Sequence, residues 1–437
     1  MPSAKTSKRL SARSTASTRG FDAVDRNFDK QLSLTSELVQ IPSQRGEEDK
    51  AQEFMARIYA DRGLAVDHWK VDVEDIRHMR GFSPVGVSYD RAFNTVGTWH
   101  PTDVKGRSLI VNGHIDVVPV GPLGRWGFPP YEPFVKDGWL HGRGAGDMKA
   151  GLVAGLAAFD AIKDAGFVPT APIHFQSVIE EECGGNGALA CVQRGYRADA
   201  AVVPEPMPFL MRAQVGPMWF SVHLHGTPPH ASGAFTGGSN AIEQAFSIIQ
   251  CLKDLENKWN ACKRETAWFK DHPHPIRFNI GGINGGEWTS SVPAECVLHV
   301  RCAIYPGWDL AQARAEIVEC IARAAQADVT LEANPPDVRF DDGFQAEGYA
   351  LEPGSDAEEI FRACHETVTG QPLAEEATSA ATDARFFGLY QDTPAIVYGP
   401  LSRNIHSFNE AVNIESVRQV TRTLALYIAK WCGIQKA

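Results

Sequence analysis

Three apolar runs, each ending in acid or histidine, constrain this chain more than anything else in it. SLIVNGHIDVVP (residues 108–119), PIHFQSVIEEE (172–182) and ADAAVVPEP (198–206) are short and continuous, and each runs into polar residues. Such runs read as strands buried on both faces, in a sheet that helices cover on either side. Between the first two lies KAGLVAGLAAFDAIKDAG (149–166), which has helical character and stops at Gly166. Strands alternating with helices predict an α/β fold around a mixed sheet. In open sheets of that kind, ligands collect beyond the carboxyl ends of the strands. Those ends carry His114, Asp116, Glu181, Glu182 and Glu205.

The pattern changes in the middle of the chain. Residues 47–63 read as a helix, with Ala51, Phe54, Met55, Ile58 and Tyr59 at helical spacing. From about 212 to 330 come a strand (WFSVHLHG), a helix (NAIEQAFSIIQCLKDLENKW), two strands (RFNIGGINGG, ECVLHVRCAIYPG) and a helix (LAQARAEIVECIARAAQ). This predicts a compact α+β domain inserted at 212–330. The α/β pattern then resumes with a helix near 355–369, the strand TPAIVYGP and a last helix from about 414. The expected catalytic domain is therefore discontinuous, 28–211 plus 331–437, with hinges near Met211–Gly216 and Asn334–Asp337.

Composition excludes several classes of function. With 42 Lys and Arg against 53 Asp and Glu, the formal charge is −11. General nucleic-acid or anionic-membrane binding needs a basic footprint that this balance does not supply. No stretch approaches the roughly 20 apolar residues of a membrane helix. Residues 1–20 hold five Lys or Arg, five Ser, no acid and no apolar segment, so they are not a secretory signal. That composition admits an organellar transit peptide; the expectation adopted is a disordered tail over 1–27. Nine scattered cysteines without a CxxC suit a reducing compartment, and the expected location is cytoplasmic.

The strand-end residues form one chemical set once GRGAGDMKAG contributes Asp147 and NIHSFNEA contributes His406. Singly, each feature is ordinary: an HxD pair, a solvated acidic run, an aspartate capping a helix. Together they offer imidazole and carboxylate, the ligands of zinc and similar divalent ions. Two such ions, about 3.5–4 Å apart, would supply the positive charge that Glu180, Glu181 and Glu182 need to sit side by side. One glutamate can bind metal, one can carry a water proton, and the third is expected to stay solvated.

These motifs, in this order, resemble the M20 metallopeptidase and deacylase family, which includes acetylornithine deacetylase, succinyl-diaminopimelate desuccinylase and glutamate-releasing carboxypeptidases. GHIDVVP, GRGAGDMKAG, EEECGGNGA, PEP and IHSFNEA carry the resemblance, which spans roughly residues 30–432. It implies a zinc-peptidase-like catalytic domain with an inserted lid and dimerisation domain. It implies two divalent ions, Zn2+ above all, with Co2+ or Mn2+ as alternatives. Asp147 would bridge them, His114 and Glu205 would complete one site, and Glu182 and His406 the other. Glu181 would be the general base, and Asp116 would hydrogen-bond the far nitrogen of His114. A cis peptide would follow Asp147. His230, in HASGAFTGGSNAI, would donate to the oxyanion across a homodimer; this stretch lacks the usual proline and sets Asn240 one residue further on. Arg301 would grip a substrate carboxylate, with Arg385, Gly399 and Asn240 also lining the substrate site. Leu401 and Ser290 depart from the desuccinylase pattern.

The expected function is amide hydrolysis of N-acyl amino acids by a metal-activated water. The alternatives are a carboxypeptidase or dipeptidase, or a hydrolase of an unusual catabolic amide. The expected partner is a small N-acyl amino acid or dipeptide-like substrate, with no nucleic acid and no membrane.

Overall fold

A computed structural model describes the backbone of residues 4–227 and 238–437, with side chains from residue 19 onward. At its centre is a six-stranded sheet in the order Ala65–Lys70, Phe93–Trp99, Ile173–Val178, Leu109–His114, Ala200–Val203, Ala395–Val397. The last four run parallel, and Phe93–Trp99 is antiparallel to both of its neighbours. The sheet is thus mixed. Leu109–His114 and Ala200–Val203 are buried along their whole length, as continuous apolar runs require.

Helices cover both faces. On one, Tyr59 of Asp49–Asp61 and Phe159 of Ala150–Asp164 lie against Gly97 and Phe175. A side chain at Gly155 would strike Val111, so this glycine lets helix and sheet close up. On the other face Asn186–Gln193 docks over Asn94, whose Nδ2 donates to the Gly187 carbonyl at 2.7 Å. Ile414–Trp431 packs on Ala150–Asp164 and on Asp356–Thr369.

Within the stretch expected as a tail, 1–27, the described backbone from Ala4 is helical, and burial begins by Ala23 and Val24. A helix runs Ala4–Val39 and packs on Ala150–Asp164 and Ile414–Trp431. Val24, Phe28, Gln31, Thr35 and Leu38 are all buried, a stripe at alternating spacings of four and three that faces the core. Gln31 donates to Thr421 at 2.9 Å, and Asp25 pairs with Arg422 at 2.6 Å.

The inserted α+β unit has its own core. Its antiparallel sheet runs Asn279–Gly285, Glu295–Ile304, Gly216–His225, Asp337–Arg339, against the helices Ala241–Ala261 and Leu310–Gln326. Because Asp337–Arg339 pairs with Ser221–His223, and Leu331 lies in this core, the chain leaves the unit after residue 339 rather than at 330. The expected hinge at Met211–Gly216 falls on a buried strand, Leu210–Gln214, held between Tyr349–Ala350 and Glu375–Thr378. Among the described residues no helix is long and apolar enough to cross a membrane, and all nine cysteines are free.

Candidate active site

Four loops meet at the carboxyl ends of the parallel strands. Leu109–His114 ends on His114, Ile173–Val178 leads into Glu180–Glu182, and Ala200–Val203 leads into Glu205. Asp147 precedes the helix Ala150–Asp164, and its peptide bond to Met148 is cis, as expected. His406 sits in the loop between Ser402–Arg403 and Ala411–Asn413, two strands of a small sheet completed by Trp139–His141 and Phe134–Lys136.

Asp147 is the shared member. Its Oδ1 lies 3.2 Å from His114 Nε2 and its Oδ2 lies 3.1 Å from His406 Nε2. Glu205 Oε2 is 3.8 Å from His114 Nε2, while Glu182 Oε2 is 2.9 Å from His406 Nε2. The ligand atoms of His114, Asp147 and Glu205 fall within 4.8 Å of one another, and so do those of Asp147, Glu182 and His406. Beside them Glu181 is buried, and among the described residues its Oε1 has no hydrogen-bond partner.

Burial and neighbouring charges set the electrostatics of this cage. Burial pushes Glu205 up to about 8 despite His114, and raises Glu181 well above its ordinary value, with Glu205 and Asp383 adding to the push. Burial would lower His114, but Glu205, Asp147 and Asp116 outweigh it and hold the ring well above its usual value. His406, opposed by burial but flanked by Asp147 and Glu182, is pushed up to about 11. Burial would raise Asp147, yet the two imidazoles hold it below the usual carboxylate range. The donor set of two imidazoles and three carboxylates, with an orphaned buried carboxylate oxygen beside it, fits a pair of divalent ions.

Two expectations are corrected. Glu180 is not solvated: Arg45 Nε reaches its Oε1 at 2.7 Å, the Tyr89 hydroxyl donates to its Oε2, and only 2% of the residue is exposed. The positive charge beside the first of the three glutamates is therefore an arginine. Asp116 does not meet His114 through its carboxylate, which stands 3.6 Å away; its backbone carbonyl faces Nδ1 at 2.9 Å. The Asp116 carboxylate instead accepts the backbone N–H groups of Glu181 and Glu182 at 3.2 and 3.1 Å.

The expected substrate residues have other partners. Arg385 is buried and donates to the carbonyls of Thr382 and Gly184, at 2.8 and 2.9 Å. Asn240 caps the helix Ala241–Ala261, its oxygen accepting from Ile242 and Glu243. Gly399 lets the end of its strand approach Glu205; a side chain there would sit 2.0 Å from the Glu205 carbonyl oxygen. Arg301 is half-buried opposite Trp219, and no hydrogen bond joins it to the acidic cluster among the described residues. His230 lies outside the described residues.

Sequence reasoning missed the residues that hold this cage. Glu410, fully buried, accepts from Arg143 at 2.6 Å and from the backbone N–H groups of Gly144, Gly146 and Asp147 at 2.9–3.1 Å. Lys149 Nζ donates to the carbonyls of Leu38 and Ile41, at the end of the first helix. Asp383 is wholly buried, neither of its oxygens is partnered among the described residues, and burial pushes it up to about 7. Arg143, Lys149 and Glu410 all lie within motifs quoted above, which was the available signal; Asp383, two residues before Arg385 in TDARFFG, belongs to a stretch whose resemblance to the family already marks it as supporting the site.

Residues 110–430 match the peptidase family M20/M25/M40. A relative from Bacillus subtilis, named N-formyl-4-amino-5-aminomethyl-2-methylpyrimidine deformylase, is 31% identical over 88% of this chain and 90% of its own length. One of the same name from Halalkalibacterium halodurans is 29% identical over 95% of this chain and 97% of its own. The dipeptidase Dug1p from Saccharomyces cerevisiae superposes with a TM-score of 0.75 at 16% identity, covering 96% of this chain and 99% of its own. This chain belongs to the peptidase family M20/M25/M40, hydrolases that act on amide bonds.

Proposed function

We propose that this chain is a two-metal deacylase, which hydrolyses the amide joining a small acyl group to an amine. The observation that carries the reading is Asp147, with one oxygen on each imidazole, beside the unpartnered Glu181. His114, Asp147 and Glu205 would hold one cation, and Asp147, Glu182 and His406 the other. Two divalent ions, zinc in the first instance, supply strong acidification of water and a charge sink at the attacked carbonyl. Glu181 takes the water proton on its free oxygen and returns it to the amine nitrogen as the C–N bond breaks. Asp116 fixes the direction of Glu181 and Glu182 through their backbone N–H groups. His230 is the proposed oxyanion donor, reaching across a homodimer formed through the inserted unit.

For the leaving amine, the relatives at 29–31% identity support an aminomethylpyrimidine carrying a formyl group. A second reading, an N-acyl amino acid, is favoured by Arg301, a half-buried guanidinium that burial drives down and that pairs with no carboxylate among the described residues. A fork of that kind suits a substrate carboxylate. Protein loaded with zinc, cobalt or manganese should be offered the N-formyl aminomethylpyrimidine, formyl-, acetyl- and succinyl-amino acids, and dipeptides. Hydrolysis that chelation abolishes is the expected result. Inertness toward the whole panel, with two ions bound per chain, would refute the deacylase reading.

A further inference from the structure

The loop that carries Glu181 is held from outside its own sheet. After Asp337–Arg339 the chain leaves the inserted unit through a short strap, residues 340–346, with contacts on two sides. Toward the inserted unit, Trp219 N–H donates to the Phe344 carbonyl at 2.8 Å and Ala346 N–H to that of Pro217 at 2.9 Å. The Gln345 side chain donates to the Trp219 carbonyl and accepts from Arg314 of the helix Leu310–Gln326, at 2.7 and 2.6 Å. Toward the catalytic loop, Asp342 accepts from Arg45 Nη2 at 3.1 Å, while the same guanidinium holds Glu180 through Nε at 2.7 Å. Ser83 makes a second bridge: its hydroxyl accepts the Gln345 N–H and donates to the Gly184 carbonyl, both at 3.1 Å. Phe344 packs edge-on to Trp219, and the Arg385 guanidinium, which grips Gly184, stands 5.5 Å over its ring.

The two bridges bracket the general base. Arg45 acts on Glu180, one residue before Glu181, and Ser83 acts on Gly184, three residues after it. Glu180 is a non-glycine residue at φ +60°, a conformation that needs its surroundings to hold it. From this we propose that Arg45 and Ser83 are positioning residues that tie Glu181 to the strap, so that the stance of the inserted unit sets the geometry of the general base. The inserted unit then acts on catalysis through its covalent connector as well as through any group it presents to the substrate. Guanidinium serves this purpose because its separate nitrogens hold two carboxylates in one fixed plane, which an ammonium does not.

The inference rests on Glu181 acting as proposed, and its test separates the two ideas. Asp342→Asn, Arg45→Gln and the double variant are compared in the full chain with both ions loaded. Each single change should lower kcat about tenfold with KM within about twofold and metal content unchanged, and the double should be no worse than the poorer single. Arg45→Lys should not restore the rate. Independently of any substrate, Asp342→Asn should raise amide hydrogen exchange across residues 180–185. Multiplicative losses in the double variant, or unchanged exchange in that loop, would overturn the coupling. A chain with no hydrolytic activity but with raised exchange would keep the coupling and sink the deacylase reading.

Discussion

Glu410→Gln removes one charge and changes no volume, which makes it the sharpest test of how Asp147 is held. Oε1 of Glu410 accepts from Gly146 and Asp147, and Oε2 from Arg143 and Gly144. All four are donors, so the amide NH2 of glutamine must face two of them whichever way it turns. Turned toward Arg143, it leaves a buried guanidinium without its counter-charge, a loss of about 3–5 kcal/mol. Turned the other way, it strands the N–H groups of Gly146 and Asp147 at about 1–3 kcal/mol each. Either orientation costs several kcal/mol out of a typical stability of about 5–15 kcal/mol, so the chain should fold but melt several degrees lower. The second orientation also pushes the backbone of Asp147 away, and with it the carboxylate shared by both imidazoles. The assay is a thermal melt together with metal per chain after dialysis against a weak chelator. Arg143→Met is the control: it costs stability, yet leaves three backbone N–H groups on the Glu410 carboxylate and Asp147 in place. Glu410→Gln should therefore retain fewer ions than Arg143→Met. Equal retention of two ions by both, or a wild-type melt for Glu410→Gln, would refute this account of the site.

Glu181→Gln should lower kcat by about 10²–10⁴-fold and leave both ions bound, measured by turnover and elemental analysis; a fall under about tenfold would remove it from the proton path. Gly399→Ala must displace the Glu205 carbonyl from 2.0 Å, so one of the two ions should bind at least about tenfold more weakly in a titration, with the other unaffected. His406 is raised from 6.5 to about 11 in the metal-free chain. Its contribution to stability is present in full below pH 6.5 and fades as pH climbs toward 11, visible as a falling melt of the metal-free protein. The proton that His406 keeps must leave when a cation takes its nitrogen. Metal affinity should therefore rise by about tenfold per pH unit for each proton released between pH 6 and 8; a flat profile in calorimetry would count against His406 as a ligand.

What the sequence disclosed of the fold was the part written in periodicity. Strands buried on both faces stand out because every position is apolar, and the helix predicted at 310–326 is the helix observed. Ala65–Lys70 and Phe93–Trp99 went unread: Ala65–Lys70 is an edge strand with an exposed, alternating face, and Phe93–Trp99 mixes glycine and polar residues with its apolar ones. The first helix went unread because Gln31 and Thr35 occupy core positions of its stripe, where they meet Thr421 and the helix backbone instead of water.

In the site, the motifs disclosed which residues converge but not which way each would turn. Glu180, Glu181 and Glu182 are identical in type and adjacent, yet one is paired with Arg45, one is buried unpartnered and one faces His406. Only backbone direction separates them, and that direction is set by the left-handed turn at Glu180 and by Asp116 accepting the next two N–H groups. Neither cause leaves a local trace, since Arg45 is 135 residues from Glu180 and Asp116 is 65 from Glu181. Charge at a strand end can be read from composition. Its division into a structural anchor, a proton carrier and a ligand depends on contacts made across the sheet and the strap, so the three roles should be separable by substituting Arg45, Glu181 and His406 one at a time.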